Sequence, residues 1–598
     1  METSGSLVAA GEARGTEYRA PIADIRLALD TVGIDELLGL AAFRHVDRRD
    51  IDAALAEFGR FAAEVIAPTD RPGDLAGSTL DPSTGSVTTP AGFKDAYRRY
   101  ADGGWGNLQF PIEYGGAGLP SVVGLAIQEI FASANLSLSL NPVLTQSGVE
   151  LLLSWASDEQ RAKYLPKLLS GEWSATMNLT EPDAGSDLAE VKTYAQKASD
   201  GTWRISGTKI FITWGEHDLT ENIVHLVLAR TPGAPPGTRG LSLFLVPKYL
   251  VDAQGGTATR NQLKCQRLEE KLGIHASPTC VMEYEGAFGE LLGEELSGLR
   301  AMFTMMNIAR VAIGIEGPAV AERAYQQAER YAAQRLQGRD YGDETGTLVP
   351  IIEHPDVRRM LLRMRTSTQA ARLLAYEASM NRDLAQHAED PSARAWSKAF
   401  ADFLTPIAKA WSSDAGFAAA SDGMQVLGGA GYVEESGIAQ RLRDSRIAPI
   451  YEGTNGIQAI DLVVRKIGRD DGVTVRRLIT ELRDFITRES NADKALLDTF
   501  SALEEAVTVL ESTTRWIEER LPLSPNDVLA GATTYLELAG ITLGGWLMAR
   551  RALLAGASEG ETATRVVGES NFFATEFVGR AAGLVRPITS GADRLSTI

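Results

Sequence analysis

Ile450-Tyr451-Glu452-Gly453-Thr454-Asn455-Gly456-Ile457-Gln458 sets one carboxylate between an aromatic ring and a glycine, in a segment otherwise poor in charge. Burial beside a ring disfavours the ionised form and raises a carboxyl pKa, while the glycine lets backbone or ligand approach closely. Glu452 therefore reads as a candidate general base. Taken alone, Glu-Gly-Thr is also an ordinary turn that stops a helix, so the segments around it decide.

Working back from the loop, helical spacing runs through 392–426, 355–382 and 319–336 and begins near Ser297. Before that, short alternating runs bounded by Gly, Pro and Asp predict strands: Thr202-Trp203-Arg204-Ile205, Lys209-Ile210-Phe211-Ile212-Thr213, Ile223-Val224-His225-Leu226-Val227-Leu228 and Leu241-Ser242-Leu243-Phe244-Leu245-Val246. From Asp50 to about Leu169 apolar residues recur at three and four, as in Phe58, Phe61, Ala62 and Val65, broken by a glycine-proline loop over 110–118. Beyond the Glu452 loop, Leu478, Leu482, Phe485, then Leu496, Phe500, Leu503, Val507 and Leu510, predict further helices after a polar break at 468–472. The expected fold class is α+β and multidomain. It comprises an amino-terminal extension (1–49), a helical domain (50–170), a β domain (171–296), a helical domain carrying the Glu452 loop (297–466) and an additional helical carboxy-terminal domain (467–598).

A net charge of −19 on 598 residues argues against nucleic acid or an anionic membrane as main partner. Cys265 and Cys280 are too few for a disulfide framework, and the six histidines form no ligand spacing, so no metal is expected and a reducing, cytoplasmic setting is. Met1-Glu2-Thr3 opens no secretory signal. The apolar run 529–549 contains Glu537 and three glycines, which predicts a packed helix and no transmembrane segment.

Four separated strings carry a resemblance. They are Met177-Asn178-Leu179-Thr180-Glu181-Pro182-Asp183-Ala184-Gly185-Ser186-Asp187, Gly207-Thr208-Lys209-Ile210-Phe211-Ile212-Thr213, Gln425-Val426-Leu427-Gly428-Gly429-Ala430-Gly431-Tyr432 and the Glu452 loop. Together they resemble the acyl-CoA dehydrogenases over about 50–465, which implies a central β barrel, a four-helix bundle after it, and FAD as cofactor. By that resemblance Met177, Leu179, Thr180, Gly185 and Ser186 line the flavin, with Ser186 also at the thioester entrance. Thr180 can donate to a ring acceptor, and the Gly185-Ser186 turn offers backbone and hydroxyl donors.

The second string looks like the family strand on which an aromatic ring and a threonine, here Phe211 and Thr213, contact the flavin. Their spacing puts both on one strand face. As plain sequence, two inward residues of a core strand are the commoner explanation. The family more often has Trp where Phe211 stands. In the third string, Gln425 and Gly429 match positions that reach the adenosine-diphosphate half of the flavin from a neighbouring subunit, and Arg335 matches an arginine paired with its pyrophosphate. Here Arg335-Leu336-Gln337-Gly338 replaces Arg-x-x-Phe-Gly. In the fourth, Thr454 and Gln458 match flavin-contacting positions, and Tyr451 and Gly453 flank the base beside the substrate. Some relatives carry the base at the position of Ala309, which cannot serve; Arg310 beside it either orients the loop or forms a structural ion pair.

The resemblance implies FAD-dependent α,β-dehydrogenation of an acyl-CoA to the trans-2-enoyl-CoA, as in fatty-acid β-oxidation, by a homodimer or dimer of dimers that passes electrons to an electron-transfer flavoprotein. The expected substrate is a medium to long chain fatty acyl group. Lys271-Leu272-Gly273-Ile274-His275-Ala276-Ser277-Pro278 and the long tail look like a large bacterial branch that includes methylmercaptopropionyl-CoA dehydrogenases and mycobacterial broad-range enzymes, so the methylthio acid thioester is the alternative. An oxidase using oxygen, or a flavin-containing binding relative without dehydrogenase activity, are the other readings.

Overall fold

The computed structural model describes residues 18–252, 255–340, 342, 346–490, 493–557 and 560–596; residues 1–17, the start of the expected extension, lie outside them. Two compact units emerge: residues 1–60, 120–133 and 310–598 form one, and residues 61–119 and 134–309 the other.

The second unit is built on a seven-stranded sheet. Thr279–Leu292 pairs antiparallel with Trp203–Thr213 and Leu241–Pro247, and Asn222–Arg230 pairs with Leu241–Pro247 and, through one residue pair, with Tyr194–Lys197. Tyr194–Lys197 returns to Trp203–Thr213, so the path closes into a barrel. Trp173–Asn178 adds in parallel to Asn222–Arg230 and is buried at every position, as strands covered on both faces are. The helix Leu136–Trp155 packs on it: a Cβ at Gly148 would stand 2.9 Å from that of Ala175. That helix starts on the Asn135 side chain, which accepts the Leu138 N–H at 3.0 Å. A small hairpin, Thr79–Asp81 with Ser86–Thr88, also belongs to this unit.

In the first unit the portion of helix Gly298–Gln334 from Arg310 onward packs with Pro355–His387 and Pro391–Leu427, around Ala321, Ala324, Ala328, Met364, Ala420 and Ile438. Two glycines set the closest crossing. A Cβ on Gly317 would lie 2.0 Å from the Ser412 carbonyl oxygen, and one on Gly416 would lie 2.6 Å from the Gly317 backbone. Gly317→Ala is therefore expected to force these helices apart and to lower stability by about 1–3 kcal/mol, read as a lower thermal midpoint.

The carboxy-terminal helices Val473–Glu489, Leu497–Arg520, Pro525–Gly556 and Glu561–Glu576 close the same unit. The apolar run 529–549 lies within Pro525–Gly556, where Gly540 allows Trp411 to press against the backbone. Among the described residues no helix is long and apolar enough to cross a membrane. A buried charge network joins the amino-terminal helix Ile22–Val32 to both the bundle and the tail. Asp24 accepts from Arg365 at 2.9 Å, and Glu569 accepts from Arg365, from Arg551 at 2.7 Å and from Arg565 at 2.8 Å.

Candidate active site

In the second unit, two strings far apart in sequence meet. Ile210 N donates to the Thr180 carbonyl at 2.9 Å, and the Lys209 ammonium, wholly buried, donates to the Leu179 carbonyl at 2.9 Å and the Glu181 carboxylate at 2.8 Å. Glu181 also accepts from the backbone N–H groups of Lys192 (2.7 Å) and Thr193 (3.1 Å). Burial would raise the Glu181 pKa, but Lys209 and these donors outweigh it and hold the carboxyl below its ordinary range. The loop 179–187 is thus pinned from beneath, leaving Gly185 and Ser186 exposed, with open space where a Gly185 Cβ would stand.

The strand itself departs from simple alternation. The register against Thr279–Leu292 shifts between Cys280 and Met282, and Phe211 adopts φ 59°. That bulge moves the next residues to the opposite face: Lys209 and Ile212 are buried, whereas Phe211 is 59% exposed and Thr213 half-buried. The core-strand explanation fails for Phe211, which presents its ring outward. A large exposed ring held on a kinked strand is a ready flat surface for a planar ligand.

In the first unit, the Glu452 loop is held by its carbonyls. Arg310 Nε donates to the Glu452 carbonyl at 3.4 Å, Gln458 Nε2 reaches the Glu452 and Gly453 carbonyls at 3.3 and 3.2 Å, and Lys409 Nζ donates to the Gly453 carbonyl and Asn455 Oδ1, both at 2.9 Å. Asn455 in turn donates to the Ala410 carbonyl at 3.0 Å, and Thr454 caps the short helix Asn455–Ile460. These contacts keep Glu452 at φ 54°, a left-handed conformation that costs a non-glycine residue about 1–2 kcal/mol. Gly453 follows at φ 84°, where a Cβ would lie 2.7 Å from Gln458 Nε2.

With its carbonyl engaged, Glu452 has other groups to spare. Among the described residues, neither its carboxylate nor its N–H takes a hydrogen-bond or ion-pair partner. Its surroundings are dense although the side chain stays partly exposed, and burial raises its pKa against the pull of Arg310 and Lys409. Burial pushes Lys409 down to about 8. A free carboxylate with a raised pKa beside an unclaimed amide N–H can take a proton while the amide meets developing negative charge.

The segment is less isolated than its local sequence implies. Glu316, 1% exposed, accepts a hydrogen bond from the Tyr451 hydroxyl, and burial pushes its pKa up to about 7. Neither Glu316 nor Lys409 was legible as a site residue in the string itself. The available signal was a lone charge inside an apolar helical run, Val311–Val320 for one and Phe403–Trp411 for the other.

Arg335, Gln425 and Gly429 are not brought to this loop. They stand exposed at the ends of Gly298–Gln334 and Pro391–Leu427, about 37 Å along the axis from Arg310 for the first and about 24 Å from Lys409 for the second. A Cβ at Gly428 or Gly429 would meet open space, and Tyr432 nearby is 85% exposed.

Family models match most of the chain from residue 51 onward: acyl-CoA dehydrogenase N-terminal domain over 51–172, middle domain over 176–287 and C-terminal domain over 297–467, then an acetyl-CoA dehydrogenase C-terminal-like domain over 478–598. The chain is 46% identical to 3-methylmercaptopropionyl-CoA dehydrogenase of Ruegeria pomeroyi over 586 residues, covering 97% of this chain and 99% of that one. It is 33% identical to the broad-specificity linear acyl-CoA dehydrogenase FadE5 of Mycobacterium tuberculosis over 590 residues, 94% and 96% of the two chains. Its fold matches the crystal structure of Caenorhabditis elegans ACDH-11 in complex with C11-CoA at a TM-score of 0.80 and 19% identity, over 100% and 99% of the chains.

Proposed function

The chain belongs to the acyl-CoA dehydrogenase family, and from that premise we propose that Glu452 removes the α-proton of an acyl-CoA whose β-hydrogen leaves as hydride, giving a trans-2-enoyl-CoA. The observation that carries this reading is a carboxylate free of partners, held in strained backbone beside a free N–H. An α-proton next to a thioester is weakly acidic, so negative charge must be met on the carbonyl oxygen as the proton departs. The Glu452 N–H is the donor for that oxygen. The raised pKa brings base and substrate closer in strength.

FAD is the family's cofactor, and each unit by itself holds residues of the kind it needs. In the second unit Phe211 offers an exposed ring plane, and Thr180, Ser186 and Thr213 offer hydroxyls; in the first, the Gly428–Gly429 backbone is open to a phosphate, and Gln458 Oε1 is buried without a partner. When bound, the flavin supplies the hydride acceptor. Arg335, Gln425 and Gly429, far along their helices from Glu452, serve the adenosine-diphosphate half of a flavin held by a second copy, which makes the working form a homodimer or a dimer of dimers. This reading divides the chain as the sequence does, at 50, 171, 297 and 467.

For the acyl group, the name of the relative at 46% identity over nearly the full length supports 3-methylmercaptopropionyl-CoA as the first reading, over the medium to long chain fatty acyl thioesters expected from sequence. The relative named for linear acyl groups supports the latter as the second reading. A panel of both classes, ranked by kcat/KM, decides. Electrons pass to an electron-transfer flavoprotein; turnover with that acceptor and negligible peroxide release is the expected result, and stoichiometric peroxide marks an oxidase.

The pH dependence has a definite sign. Glu452 acts as a base only when ionised, and its pKa is raised. Substrate-driven flavin reduction is therefore full above that pKa and lost as the pH falls through it, at a pH above the roughly 4.3 of an ordinary glutamate. Stopped-flow reduction across pH reads the limb directly.

A further inference from the structure

The family reading accounts for Glu452 but leaves a second buried carboxyl group beside it unexplained. We propose that Glu316 is a positioning residue for the dehydrogenation, holding the Tyr451 ring by its hydroxyl and so fixing the neighbouring Glu452 carboxylate for proton abstraction. This inference rests on the proposed function.

One helix delivers both clamps. Arg310 and Glu316 lie six residues apart on Gly298–Gln334, nearly two turns or about 9 Å along the axis. Arg310 takes the carbonyl of Glu452, and Glu316 takes the hydroxyl of Tyr451, the residue immediately before it. The loop is thus gripped on both sides of the peptide bond preceding Glu452. Gly317, next to Glu316, lets this helix press against Pro391–Leu427, which carries Lys409 under the following carbonyl.

The acceptor is a carboxyl group whose other oxygen, Glu316 Oε1, is buried with no partner among the described residues. Its charge is felt locally. Glu316 faces the Tyr451 hydroxyl, Lys409 and Glu452; Glu452 faces Arg310 and Lys409; and Lys409 also faces Asp414 and Arg310. Both glutamates therefore lie in the field of one ammonium, and ionised Glu452 adds to the burial that raises the Glu316 pKa.

The test uses the flavin-loaded enzyme and three variants, Glu316→Gln, Glu316→Leu and Tyr451→Phe, followed by acyl-CoA-driven reduction across pH. Glu316→Gln keeps an acceptor for the Tyr451 hydroxyl, so its maximal rate is expected to stay within about threefold of wild type, a rescue by the conservative variant. Glu316→Leu and Tyr451→Phe cut the same bond from its two ends. Each is expected to lower kcat about tenfold with a smaller change in KM, and the double variant to be no worse than the more damaged single.

A kcat within about twofold of wild type in Tyr451→Phe, or a Glu316→Gln rate as low as that of Glu316→Leu, overturns the inference while leaving the dehydrogenase reading intact. If Glu316→Leu fails to fold, Tyr451→Phe carries the loss of rate and Glu316→Gln the rescue. A wild-type protein that no acyl-CoA reduces overturns both.

Discussion

Glu452→Gln is expected to yield a folded, yellow protein whose dehydrogenation of acyl-CoA falls by ~10³-fold or more, towards the upper end of a general-base contribution. Glutamine preserves the shape of the side chain and leaves the carbonyl contacts from Arg310 and Gln458 in place. The loss is then confined to proton transfer, so KM should change far less than kcat. Glu316 does not rescue the variant. Its Oε2 is occupied by the Tyr451 hydroxyl and its Oε1 is sealed from solvent, so it has no path to a substrate proton. Steady-state kinetics with an artificial electron acceptor measures the drop, and near-normal turnover contradicts the assignment of the base.

Glu569→Ala is expected to lower stability by about 3–5 kcal/mol, because it strips the main partner from buried Arg551 and one of two from Arg365. In a unit of this size that corresponds to a thermal midpoint lower by roughly 4–7 °C. Burial alone would raise the Glu569 pKa, but Arg365 and Arg551 outweigh it and hold the carboxyl below its ordinary value. A depressed carboxyl pKa contributes stability above its unfolded-state value, lost as pH falls through the folded-state one. Wild type should therefore approach the variant in strongly acidic solution. Replacing the pair, as Glu569→Leu with Arg551→Met, should recover much of the loss, since apolar side chains avoid the desolvation that ions suffer. Equal midpoints for wild type and Glu569→Ala at neutral pH would show that the network contributes nothing.

The sequence made some of this legible and not the rest, for physical reasons. Alternation separates the barrel strands at Trp203–Thr213, Asn222–Arg230 and Leu241–Pro247 from the helical spacing on either side, so the order helix, barrel, helix is visible in one dimension. Trp173–Asn178 escapes that test because it is buried on both faces and has nothing to alternate. The outward turn of Phe211 depends on a bulge against a partner strand about seventy residues away, which no local pattern encodes. The interleaved units are likewise non-local: the 120–133 segment and Asp24 join elements hundreds of residues downstream. For the site, the glutamate between tyrosine and glycine was readable, whereas its cage of Lys409 and Glu316 came from helices whose single charges look like ordinary solvated positions until the packing is known.

The central claim is a free carboxylate poised to take an α-proton while hydride leaves the same acyl group. The most direct measurement is an anaerobic titration of the purified flavoprotein with 3-methylmercaptopropionyl-CoA and a series of fatty acyl-CoA thioesters, following the flavin absorbance of wild type and Glu452→Gln in parallel. Loss of the yellow colour in wild type with at least one thioester, and retention of colour in the variant, is the expected result. Wild-type protein that stays yellow with every thioester, or a variant that bleaches as fast as wild type, contradicts it.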